Sequence, residues 1–222
     1  MKKAIAALAA GVFAVGVSAQ AAEVESAESA VIPRPVPEGY NLIGISVEAS
    51  NASLASVISG LSSTAAVKTY TGSGYSDSTV GALSVSKGDS FFVNASSATN
   101  AYEIGVAPSE SAAVEKTLST KMAVVAPPFA DEWSLNDLTF STAGGNRFAV
   151  ANQVHVWNGT GYDVYWYKKT TSGGSWKNKV SANSVPDSFG AGQSFFVVLG
   201  NGTSTAPVSG TLTFAAPSVS ND

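Results

Sequence analysis

Val154-His155-Val156-Trp157-Asn158-Gly159-Thr160-Gly161-Tyr162 reads as a strand, a turn and the start of a returning strand. Asn-Gly supplies two residues that accept positive φ, which a type I′ turn requires. Beyond the turn, Tyr162, Val164 and Trp166 fall on one face at a period of two, with Asp163, Tyr165 and Tyr167 on the other. This run of β-branched and aromatic residues favours a pleated strand. An echo stands earlier in the chain. Val67-Lys68-Thr69-Tyr70-Thr71-Gly72-Ser73-Gly74-Tyr75 matches aromatic for aromatic and Gly for Gly at a constant offset of 87 positions. A hairpin that occurs twice points to a duplicated β protein.

Other landmarks repeat in the same order. Gly39-Tyr40-Asn41-Leu42-Ile43-Gly44 opens a first unit as an apolar strand, and Met122-Ala123-Val124-Val125 stands for it in the second. Ser53 caps a short helical turn carrying Leu54, Val57, Ile58 and Leu61, with Gly60 to stop it. Ser134 caps a turn carrying Leu135 and Leu138, which match Leu54 and Val57 at an offset of 81. Gly88 through Phe91-Phe92-Val93 returns as Gly192 through Phe195-Phe196-Val197 at an offset of 104. The rising offsets locate the larger insertion between Tyr162 and Gly192, where added function concentrates in a repeat. Ala82 to Val85 and Tyr102 to Val106 complete the strands of the first unit, and residues 109 to 118 read as a strand between the two.

The ends bound the compartment. Met1-Lys2-Lys3, an apolar run from Ala4 to Val17 and Ala19-Gln20-Ala21 form the pattern of a signal peptide over residues 1 to 21, too short for a permanent anchor. Its removal takes two lysines and no acid, moving the formal charge from −4 to −6. That balance argues against nucleic acid as a partner. Cysteine is absent, so stability rests on burial and backbone pairing. Residues 22 to 38, acidic and then proline-alternating, read as a linker or an edge segment. The first β module is then 39 to 108, the second 109 to 216, and 217 to 222 a tail without a sorting signal. Scarce charge and abundant Ser, Thr, Ala and Gly agree with an all-β chain of two related antiparallel sandwich or barrel-like modules in tandem.

Taken together, Gly39-Tyr40-Asn41-Leu42-Ile43-Gly44, the capped turn, the Val-x-x-aromatic-x-Gly-x-Gly-Tyr hairpin and Gly-x-x-Phe-Phe-Val resemble the "GWNLIG … GQGFFV" repeat of bacterial secreted and cell-surface proteins. The similarity covers most of residues 38 to 214 as two copies. The second copy departs from it at Ala123-Val124-Val125-Ala126-Pro127-Pro128. The resemblance implies a β-rich module of poorly defined role and brings no catalytic residues.

Chemistry is sparse. His155 is the only histidine, and without a second His or any Cys neither a zinc site nor any other metal or cofactor is expected. No Gly-x-Ser-x-Gly stretch accompanies it. Carboxylates are few, and Asp137 is explained as the partner of the Ser134 cap. Among the aromatic and basic residues of the insertion, Tyr165, Tyr167, Lys168, Lys169, Trp176 and Lys177 form the candidate ligand-binding set, suited to stacking on sugar rings and to acidic groups of a glycan. Trp157, Tyr162 and Trp166 are assigned to core packing. Each Phe-Phe pair puts one ring on either face of its strand, so the second rings are expected to bury against each other between the units or to mark a contact with another subunit. The expected function is that of an exported, non-catalytic structural or interaction protein, secreted, cell-surface or periplasmic. Its partners would be itself, other surface proteins or a glycan. The alternatives are a carbohydrate-binding module and, third, a secreted hydrolase.

Overall fold

The computed structural model describes residues 29–49, 51–106, 113–118, 122–129, 131–180, 185–203 and 209–216. The stretches read as a signal peptide, as the acidic part of a linker and as a tail lie outside them. The chain is all-β. Its first half contains β1 (Ser29–Val36), β2 (Gly39–Gly44), β3 (Ala52–Ser53), β4 (Ile58–Ser59), β5 (Ala66–Tyr70), β6 (Tyr75–Thr79), β7 (Ser84–Val85), β8 (Ser90–Ala95) and β9 (Thr99–Val106). The second half contains β10 (Val114–Leu118), β11 (Met122–Val125), β12 (Leu138–Phe140), β13 (Gln153–Trp157), β14 (Tyr162–Thr170), β15 (Gly173–Asn178), β16 (Phe195–Val198) and β17 (Gly210–Phe214).

The halves have the same strand order. The first pairs β2-β8-β5-β6 in one sheet and β1-β9-β4 in another; the second pairs β11-β16-β13-β14-β15 and β10-β17-β12. Every pairing is antiparallel, and β15 is the strand the second half adds. Each half has its own core. That of the first is mostly aliphatic, built on Ile45, Leu54, Ile58, Val67 and Val93 around Phe91. That of the second is richer in rings, with Trp133, Tyr165, Trp176, Phe189, Phe195 and Phe214.

Local chemistry accounts for the elements, settles one alternative and corrects two expectations. Of the two readings for the proline-alternating stretch, linker or edge segment, residues 29 to 36 take the second: they form edge strand β1, paired with β9 from Ser29↔Val106 to Val36↔Thr99. Ile32, Arg34 and Val36 point inward, and an edge strand tolerates Pro33 and Pro35 because alternate prolines remove donors from one side only. The Asn-Gly turn is not type I′: Asn158 does not have positive φ. Its N–H bonds to Gly161 O at 3.0 Å, which puts Gly159, at φ +97°, in the first central position, as in a type II′ turn. Thr71, Gly72 at φ +93° and Gly74 O repeat this arrangement. Asn158 Oδ1 instead accepts from the N–H of Gly161 at 2.9 Å and of Thr160 at 3.2 Å, which holds the asparagine in its own turn. Finally, Ser53 makes no side-chain cap to the four-residue helix Leu54–Val57. Ser134 does cap the 3₁₀ turn Leu135–Asp137: Asn136 N–H donates to its hydroxyl at 3.1 Å, and its own N–H donates to Asp137 Oδ2 at 2.6 Å.

Candidate functional site

Three regions bring chemistry-bearing residues together: a seam between the halves, a buried ion pair beside it, and a groove at the far side of the second half.

In the seam, Phe91 and Phe195 belong to their own cores while Phe92 and Phe196 turn outward and meet, with ring centroids 6.2 Å apart. Residues of equivalent position surround both rings in the same way. Tyr75 lies edge-on to Phe92 at 5.9 Å, and Tyr162 edge-on to Phe196 at 5.4 Å. Trp157 of the second half contacts Phe92 at 5.8 Å, and Tyr70 of the first contacts Phe196 at 5.3 Å. These edge-to-face arrangements set the positive ring edge against the negative ring face. Ser90 and Ser194, also equivalent, share a hydrogen bond at 3.1 Å. Gly44 approaches Ala126 so closely that a Cβ on Gly44 would lie 2.4 Å from the alanine Cβ. The contact is therefore close to two-fold symmetric within one chain.

Each half also sends a cation to a glycine turn of the other. Lys116 donates to Gly88 O at 2.5 Å, and Arg34 donates through Nη1 to Ala191 O. A Cβ at Gly192, where φ is +62°, would run into the Arg34 guanidinium. Burial pushes the Lys116 ammonium below the ordinary lysine range, with Asp89 acting against the shift. Arg34 has a counter-charge: its Nε reaches Glu103 Oε2 at 3.1 Å, and its Nη2 donates to the same oxygen. Glu103 is fully buried, and its other oxygen accepts the backbone N–H groups of Ser46 at 2.6 Å and Val47 at 2.8 Å. Glu103 sits between Ile32 and Ile58, while the corresponding place between Val114 and Leu138 holds Phe214.

His155 faces the seam. It pairs with Phe196 across the sheet, and its Nε2 lies 2.9 Å from Gln153 Oε1. Burial first, and Lys179 second, hold its pKa down to about 4, so the imidazole is neutral at pH 7. Its Nε2 partner is thus a glutamine amide oxygen, with no carboxylate bonded to the ring among the described residues.

The six sequence-nominated ligand residues separate. β14 pairs with β13 as Val154↔Tyr165, so Tyr165 shares the core face with Val154, is buried, and packs on Phe189 at 5.7 Å. Trp176, opposite Tyr167, is likewise buried, between Phe140 at 6.0 Å and Tyr167 at 5.5 Å. These two are core residues and not surface ones. Trp157, Tyr162 and Trp166, assigned to the core, lie instead on the half-covered seam side of the sheet, with Tyr162 exposed. Lys168 and Lys177 are on that opposite face as well. Tyr167, Lys169 and Trp176 remain together.

They line a groove of about 520 Å³ between the edge strand β12 and the β14–β15 hairpin. Phe140, Asn136 and Thr142 complete its walls. The Tyr167 ring lies against bare backbone, where a Cβ on Gly174 would come 2.5 Å from the ring. Buried Asn152 fixes the adjoining loop, accepting from Thr142 Oγ1 and from Gly200 N–H, both at 2.8 Å. Sequence reasoning missed Phe140 and Asn136. The available signal was the alternation Leu138, Thr139, Phe140 directly after the Ser134 cap.

Among the described residues, no three His, Asp or Glu side chains converge as metal ligands, and no helix is long and apolar enough to cross a membrane. No family model, no curated protein and no solved structure matches the chain.

Proposed function

We propose that this is an exported, non-catalytic structural protein built by doubling one β unit, and that it works by associating with further copies of itself. The N-terminal signal pattern and the resemblance to a secreted repeat support export. The equal strand orders and the two-fold seam support the doubling. Asp137 serves a cap, Glu103 an internal ion pair, and Asp77 and Glu48 pair with Lys68 and Lys87, so these acids have structural partners.

The observation that carries the reading is the outer face of the β1–β9 sheet. Val31 pairs with Ile104 and Pro33 with Tyr102, and all four side chains point to solvent, Val31 at 62 % exposure and Ile104 at 46 %. Val106, also exposed, extends the patch. In the second half this face carries Glu115, Thr117, Thr211 and Thr213. An apolar face whose charge is confined to Glu48 beside Val106, where Lys87 pairs with it, is complementary to a second copy of itself, and the prolines on β1 direct association through the face and away from the strand edge.

Sedimentation velocity over a range of concentrations tests this. The mature protein is expected to associate, and Ile104→Lys to remain monomeric with unchanged melting. A wild-type chain that stays monomeric at high concentration overturns the reading.

A further inference from the structure

Each half carries a surface groove, on different strands of its sheets. Between β4 and β5, a groove of about 420 Å³ is walled by Gly60, Ser62, Thr64, Ala66 and Asn94. The first is lined by small side chains. The second has three rings, Phe140, Tyr167 and Trp176, and the ammonium of Lys169.

We propose that the second groove binds a pyranose ring of an acidic glycan, stacked on Tyr167, with Lys169 pairing with the anionic group. Four features of the groove argue for this. A pyranose presents an apolar C–H face and a rim of hydroxyls, so it needs a flat ring beside hydrogen-bonding groups. Tyr167 is half-buried and braced on one side by Trp176 and Gly174, which leaves it a held platform. β12 and β15 are both outermost in their sheets, so their outer edges offer unpaired backbone N–H and C=O groups, and Gly173-Gly174 has no side chains to cover them. Exposed Asn136 adds an amide. Lys169 is exposed and in no ion pair among the described residues. An extended peptide is the competing occupant: β12 is only three residues long, but the six residues of β15 could pair with one, so the peptide arm of the test decides between them.

The test is a glycan array bearing uronate, sulfated and neutral oligosaccharides, with calorimetry on each glycan retained, using the full mature chain. A pool of extended hexapeptides serves as the peptide arm. Acidic glycans are expected to be retained over neutral ones, and the uronate and sulfated arms identify the anionic group. Tyr167→Leu, which keeps apolar packing on Trp176, is expected to weaken binding about tenfold. Tyr167→Phe is expected to restore it, and Lys169→Gln to weaken only the acidic glycans, about two- to fivefold. Melting curves establish that each variant is folded, and Lys169, being exposed, provides a variant that does not challenge the core. Retention of no acidic glycan, retention indifferent to both Tyr167→Leu and Lys169→Gln, or preference for the peptides overturns the proposal. None of these results bears on the self-association measured by sedimentation.

Discussion

The two halves keep the same strand order and the same contacts with each other, and differ in almost everything that faces elsewhere. At the place where Glu103 lies buried against Arg34, the second half has Phe214 beside Lys116. The outer face that displays Val31, Tyr102 and Ile104 is threonine and glutamate in the second half, and the ring-lined groove there is built in part on β15, the strand the second half adds. Contacts made across a pseudo-symmetry axis constrain both partners at once, because a change in one ring loses its fit to the other. Surfaces away from the axis carry no such coupling and diverge independently.

The largest break in the comparison is expected at Glu103. Glu103→Ala leaves the Arg34 guanidinium buried without its counter-charge and removes the acceptor for two buried N–H groups, so urea unfolding should show a loss of about 3–5 kcal/mol. Lys116→Met, at the corresponding cation of the second half, strands no carboxylate. It should cost no more than about 1.5 kcal/mol, the order of one lost hydrogen bond.

A smaller break follows from acid. The folded-state pKa of His155, about 4, lies below the unfolded value of 6.5, so the unfolded chain binds the proton more readily between those limits. Stability is therefore full above pH 6.5 and falls as the pH drops toward 4, by at most about 3 kcal/mol. Lys68 holds this position in the first half and pairs with Asp77. Chemical denaturation at a series of pH values should show the slope in wild type and its flattening in His155→Gln.

Much of this was legible in the sequence, for identifiable reasons. The two like hairpins were visible because each sets a glycine at a positive-φ turn position between rings at its strand ends. The meeting of Phe92 and Phe196 followed from parity, since adjacent rings on a strand point opposite ways and only one can enter its own core. The same parity applied to the hairpin would have put Tyr165 beside Val154. Bulk drew the core assignment to Trp157 and Trp166 instead, and the seam, not solvent, covers their face. Strand β1 was left open between a linker and an edge segment because its prolines obscure β propensity, and the pairing with β9 shows that both fall harmlessly on an edge. Half of the candidate groove was missed because Phe140 reaches it from a different sheet, which no local pattern encodes.

The seam joins the two halves, and a double-mutant cycle on Phe92→Ala and Phe196→Ala measures it most directly. Each single change is expected to destabilise the whole chain in one cooperative unfolding transition, with the pair coupled by about 1 kcal/mol, as for aromatic rings in contact. Additive losses, or two transitions in which each change affects only one half, would contradict a two-fold contact between equivalent units.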